Sequence, residues 1–353
     1  MTFVREKKFP LPFLAAAAGA AAALFFLEGL LGFGGFLRDI ALSDVAQDPS
    51  HAHTRHDSDI GWTGKPNVLI KDHYGPGIDV RTDDWGHRAS SAKANGGSGK
   101  RILCSGDSFT FGFGVNGLET WCALLGEDGT GASVMNLAQN GWGADQMYLY
   151  FKREVSKIPH DLHIFAVIRA DIDRMRLAEF INYPKPVVTS ENGAIRVKNT
   201  PIPEGPYRRP WLTEHRDIIG RLHMGRLLLS LFERLSIPPD DAQTKTAAWE
   251  TFGLILKDLK TRSPRFRLVY LPVWADLNSS INDSFRERLK KEAKDAGVDF
   301  TDLTEEFKRV PKWEQKDLFF FEDPIYGQEA AGHYTPKGHT LAADLLSGVY
   351  KKL

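Results

Sequence analysis

Cysteine is almost absent from this sequence, and so is any excess of charge. Only Cys104 and Cys122 occur in 353 residues, which excludes a small scaffold stapled by disulfides. Both lie in segments expected to be ordered. Two buried free thiols are the plain expectation, and a disulfide between adjacent elements is the alternative. Lys plus Arg and Asp plus Glu number 45 each, so no basic field recommends nucleic acid as a partner. No tandem repeat and no His-Glu-x-x-His spacing occur, and neither a cofactor nor a metal is expected. What is present is 42% hydrophobic residues with eight tryptophans. That composition fits a folded chain large enough for one α/β core, with or without a small subdomain.

Charge is also missing from one long stretch. Leu11 to Leu27 carries none, and only Glu28 interrupts the apolar character up to Phe36. A spanning helix needs about 20 mostly apolar residues. A cleavable signal peptide has a shorter apolar region, of roughly 7 to 15 residues. A retained anchor over 11–36 is therefore expected. The basic flank of Arg5, Lys7 and Lys8 within 1–10 places the N-terminus in the cytoplasm and the remainder in the periplasm or outside the cell. Residues 37–66, with His51, His53 and His56, read as a juxtamembrane linker before a main domain over 67–353.

Five apolar segments of strand length recur along that domain: Arg101 to Ser105, Ser133 to Leu137, Leu162 to Ile168, Phe266 to Leu271 and Val298 to Phe300. Helical patterns separate several of them, including Leu118 to Leu125, a run that follows Asn140-Gly141-Trp142-Gly143 and reaches about Lys157, and Ile281 to Ala296 closed by Gly297. This rhythm predicts an α/β domain with a mostly parallel sheet. Residues from about 180 to 263 leave the rhythm and read as an insert or cap. They include a leucine-rich helix over 212–235 and a second helix from Asp240 or Asp241 to Leu259.

The first of these strands ends in a concentration of chemistry. Gly106 breaks it, and Asp107, Ser108 and Thr110 crowd the turn that follows. A serine at the carboxyl end of a sheet strand, beside a helix N-terminus, sits where ligands bind in open α/β folds. Backbone N–H groups there can face developing negative charge. Ser108 is the expected nucleophile, and it needs a base from elsewhere in the chain. His333 is the expected base. It lies in Gly332-His333-Tyr334-Thr335-Pro336, just before a helix for which Thr335 is a plausible N-cap and Pro336 a good first residue. His339, inside that helix, reads as packing.

These two stretches resemble the SGNH (GDSL-type) hydrolases. Gly106-Asp107-Ser108-Phe109-Thr110 is similar to the nucleophile block, and the span from His333 to Gly338 is similar to the histidine block. The resemblance implies a three-layer, flavodoxin-like α/β/α fold with ester hydrolysis or O-acyl transfer. It also implies that the N–H groups of Ser108 and Gly141 bind the oxyanion. The third block departs from the pattern, since Ala170 stands in Ile168-Arg169-Ala170-Asp171 where relatives carry an oxyanion asparagine. The orienting acid is displaced as well. Ala330 and Ala331 occupy its usual places, so Asp323 is the expected acid, with Glu329 as the alternative. Asp107, Arg169, Asp171 and Arg174 are expected contacts for a polar or anionic substrate. The anchor and the family together imply acylated sugars or small esters as substrates and the bilayer as a partner. The alternatives are a lipid esterase or thioesterase using the same residues, and an impaired glycan-binding or envelope-assembly component.

Overall fold

The computed structural model describes residues 11–42, 52–89, 100–127, 132–180, 183–204, 242–321 and 332–350. The chain divides into two units, one of residues 1–46 with 208–239 and one of residues 47–207 with 240–353. Within the first unit, Leu11–Leu42 forms a continuous helix of 32 residues. Counting only the side chains described, no helix among the described residues is long and apolar enough to cross a membrane. The leucine-rich helix expected over 212–235 lies outside the described residues.

The second unit begins with two small antiparallel pairs, β1 (Thr54–Asp57) with β2 (Gly61–Gly64) and β3 (Leu69–Ile70) with β4 (Val80–Arg81). Residues 52–66 are therefore part of the fold and not the linker expected there. The cause is burial: Ile60 and Trp62 sink into the main core, where Trp62 is only 2% exposed. Arg153 also clamps the pair from outside through Asp57 and Asp59.

The central sheet follows: β5 (Arg101–Ser105), β6 (Ser133–Asn136) and β7 (Leu162–Val167). Next come two short hairpins, β8 (Glu179–Phe180) with β9 (Tyr183–Pro184) and β10 (Val187–Glu191) with β11 (Ala194–Lys198). β12 (Phe266–Tyr270) and β13 (Asp299–Asp302) complete the sheet. Its order is β13-β12-β7-β5-β6, and every neighbouring pair is parallel. Counting only these five strands, that is the flavodoxin-like order 2-1-3-4-5.

Alternation along the strands builds the layers. Leu103, Phe165, Val167, Leu268 and Tyr270 face one way. Ile102, Cys104, Ile164, Ala166 and Val269 face the other. All six residues of β7 are buried, as a strand covered on both faces requires. Helix residues Met147, Phe151, Ile255, Leu256, Leu289 and Ala293 cover the first face. Trp121, Leu125, Phe307, Ala342 and Leu346 cover the second. The helix Ala242–Arg262 thus belongs to the core layer and not to a cap, because Phe252, Ile255, Leu256 and Leu259 are fully buried.

Local chemistry trims several expected elements. The segment expected as a helix from Leu118 becomes a short 3-10 turn, Gly117–Glu119, and then the helix Trp121–Gly126. Thr120 restarts the chain there by accepting from the Ala123 N–H at 3.2 Å. The two cysteines are not free thiols. Cys104, near the end of β5, is disulfide-bonded to Cys122 in this helix, with Cα atoms 6.3 Å apart. Packing the helix directly on the strand that precedes it brings them within bridging range.

Candidate active site

Ser108 opens the short helix Ser108–Phe111 immediately after β5. Position 106 must be glycine, since a Cβ there would collide with the Thr110 side chain. Asp107 is the N-cap, its Oδ1 accepting from the Phe109 N–H at 2.9 Å. The site therefore lies at the carboxyl ends of β5 and β7, where the strand order reverses, the place at which open α/β sheets bind ligands.

His333 arrives from the far end of the chain. Its Nε2 lies 2.8 Å from Ser108 Oγ, although 225 positions separate the two residues. Backbone bonds set the ring's approach, with Phe320 N–H donating to His333 O and Gly332 N–H to Phe320 O. Two rings flank the imidazole, Phe113 at 4.8 Å between centroids and Phe109 at 4.9 Å. Ser108 Oγ also lies 3.5 Å from Asp107 Oδ2, a much longer approach than the one to His333. Asp323 and Glu329, the expected and alternative acids, both lie outside the described residues.

Gly141 occupies the loop between β6 and the helix Ala144–Tyr150, with φ of 75°. That left-handed conformation favours glycine. Among the described residues, no protein acceptor engages the N–H of either Ser108 or Gly141. Two tryptophans lock the loop reciprocally. Trp62 Nε1 donates to Asn140 O and Trp142 Nε1 donates to Trp62 O, each at 3.0 Å. The segment first expected as linker thus braces the glycine turn, a role with no local sequence signal.

The four expected substrate contacts have different surroundings. Asp107 and Asp171 are buried. Arg174 Nη1 donates to both, at 3.1 Å and 2.8 Å, and to Trp142 O at 3.0 Å. Asp171 Oδ2 further accepts from the Ile168 N–H at 2.8 Å. Burial, and next the Asp107 charge, hold the Asp171 carboxyl well above the usual range, with Arg174 opposing. Neither aspartate offers a free face to substrate. Arg169 is the open one: its side chain is 41% exposed and donates to Asn282 Oδ1 at 2.7 Å. Ala170 packs against the second core layer and has no side-chain donor.

Three buried polar groups do not belong to the reacting set. Ser105 Oγ and His163 Nε2 also lie 2.8 Å apart, but both are buried and Phe151 stacks on the imidazole at 4.2 Å. Burial keeps the His163 ring well below its ordinary pKa. His339 is likewise buried, and its Nδ1 accepts from the Trp121 N–H at 3.2 Å. Burial, then the charges of His333 and Arg88, push its pKa down to about 3. Lys185 pairs with Asp145 at 2.5 Å, both fully buried. Among the described residues, no cluster of three His, Cys, Asp or Glu side chains is placed to hold a metal ion.

No family model and no curated protein matches the chain. Solved structures do. The chain is similar to a lipolytic protein of the G-D-S-L family from Veillonella parvula, at 13% identity and a TM-score of 0.40, over 72% of this chain and 100% of that one. It is also similar to a putative lipolytic protein of the same family from Desulfitobacterium hafniense, at 16% identity and 0.39, over 71% and 99%. A third is a variant of an acetyl xylan esterase from Geobacillus stearothermophilus, at 16% and 0.40, over 71% and 95%. At this level of likeness, what the chain does rests on its own residues.

Proposed function

We propose that this protein is a serine-dependent ester hydrolase or O-acyltransferase that works outside the cytoplasm. The observation that carries the reading is the 2.8 Å contact between Ser108 Oγ and His333 Nε2 at the carboxyl end of β5. In this reading Ser108 attacks an ester carbonyl, and His333 takes the hydroxyl proton and returns it to the leaving alcohol. The N–H groups of Ser108 and Gly141 hold the oxyanion. A carboxylate, Asp323 in first place and Glu329 as the alternative, orients the imidazole and stabilises its charged form. Water releases the acyl group in a hydrolase, and a sugar hydroxyl accepts it in a transferase.

The location has two supports. The uncharged run Leu11 to Leu27 lies within one continuous helix, and a single-pass anchor with a cytoplasmic N-terminus is the proposed arrangement. The Cys104–Cys122 disulfide suits an oxidising compartment. An acylated extracytoplasmic glycan is the proposed substrate, with Arg169, just past the carboxyl end of β7, as its polar contact. A lipid ester is the competing substrate.

The test treats full-length protein in membranes with a fluorophosphonate probe, beside Ser108→Ala and His333→Ala. Labelling that vanishes in the serine variant and falls sharply in the histidine variant supports the reading. Ala170 favours an impaired, binding or assembly role as the second reading, because losing one oxyanion donor costs about 3 to 4 kcal/mol. Folded wild type that never labels would decide for that role.

A further inference from the structure

The oxyanion pair of the proposed serine mechanism has no side-chain donor at position 170, so its two backbone donors must be held in register by something else. We infer, resting on that mechanism, that Arg174 is the positioning residue that fixes the Ser108 and Gly141 N–H groups relative to one another. A single nitrogen, Nη1, reaches three elements: Asp107 Oδ2 at 3.1 Å, Trp142 O at 3.0 Å and Asp171 Oδ1 at 2.8 Å. Asp107 precedes Ser108 and caps its helix. Trp142 follows Gly141 directly. Asp171 is tied through its other oxygen to Ile168 N–H at the end of β7. One guanidinium therefore ties the nucleophile turn, the glycine loop and the neighbouring strand end together.

Arg174 is itself immobilised at both ends. Its guanidinium lies over the Phe180 ring, 4.5 Å from the centroid. Its carbonyl accepts from Lys185 Nζ at 3.2 Å, and that ammonium is paired with buried Asp145. The side chain is only 13% exposed, so its main business is with protein groups. A Cβ on Gly143 would press on the Arg174 Cβ at 3.0 Å, so glycine at 143 lets the loop approach this side chain. A lysine keeps the charge, but its ammonium ends short of the Nη1 position and lacks the flat guanidinium face that lies over Phe180.

The experiment compares full-length wild type with Arg174→Ala, Arg174→Lys and Arg174→Gln in mild detergent. It measures kcat and KM on a p-nitrophenyl acyl ester, the fluorophosphonate labelling rate of Ser108, and the thermal midpoint. Displacing a donor by about an ångström predicts a loss in kcat approaching 100-fold with KM changed less than about twofold. Arg174→Lys restores the midpoint to near wild type yet stays at least about tenfold down in kcat. Recovery of kcat together with the midpoint in Arg174→Lys would reduce Arg174 to a structural ion pair and overturn the inference. A raised KM with unchanged kcat would make Arg174 a substrate contact and overturn it equally. Wild type that neither labels nor turns over removes the serine mechanism itself, an outcome separate from either variant result.

Discussion

The Cys104–Cys122 cross-link sets a measurable share of the stability. Residues 18 apart in sequence are joined, and closing a loop of that size in the unfolded chain contributes about 3 kcal/mol in the chain-entropy model. Both sulfurs are fully buried between β5 and the helix Trp121–Gly126, so folded wild type should resist mild reductant while its unfolded state does not. We expect the urea midpoint of full-length protein in mild detergent to fall when unfolding is run to equilibrium with reductant. The drop should correspond to about 3 kcal/mol, or roughly 5–10 °C in thermal midpoint. The Cys104→Ala/Cys122→Ala double variant should sit at the lower value whether reductant is present or not. Ser108 should still label in native buffer, because its turn is closed by bonds of its own, Phe109 N–H to Asp107 Oδ1 and Phe111 N–H to Asp107 O. Equal wild-type midpoints with and without reductant, together with two thiols titrating in unreduced, unfolded protein, would refute the cross-link.

Two further perturbations address the support of the site. Burial keeps His339 neutral down to about pH 3, and its Nδ1 must stay unprotonated to accept from the Trp121 N–H. The unfolded state therefore binds the extra proton first, and stability should fall as pH drops below about 6.5, by roughly 1.4 kcal/mol per unit. His339→Gln should flatten that slope in urea titrations at pH 4.5 and 6.5, although buried His163 contributes with the same sign; an unchanged slope would show that His339 does not titrate this way. Trp62→Phe removes the donor to Asn140 O and leaves a buried carbonyl without it, costing about 1–3 kcal/mol. Because Asn140 adjoins Gly141, the Ser108 labelling rate should fall as well, and an unaltered rate would separate the tryptophan lock from the proposed oxyanion site.

Much of the fold was legible because burial leaves a local trace. All five sheet strands read as short apolar runs, and their observed bounds differ from expectation by no more than two residues. β7 is buried on both faces and shows the continuous run expected of such a strand. Ser108 was visible as polar chemistry placed at once after an apolar strand and a glycine. The parts missed were those in which a polar or aromatic residue serves a distant element. Trp62 sits among His, Asp and Ser in a stretch that reads as linker, and only Asn140 and Trp142 reveal its use. Asp107, Asp171 and Arg174 read as contacts for a polar substrate, yet both aspartates are buried.

Sequence by itself determined the strand segments, the Ser108 turn and the histidine-bearing loop, because apolar periodicity and turn chemistry act between residues close along the chain. Tertiary structure alone decided which groups meet. It chose His333 for Ser108 across 225 positions, joined Cys104 to Cys122, and turned Arg174 inward onto Asp107 and Trp142 O. These pairings follow from strand order and from helix docking on the sheet faces. Both are settled by packing the whole core, and no short stretch of residues encodes them.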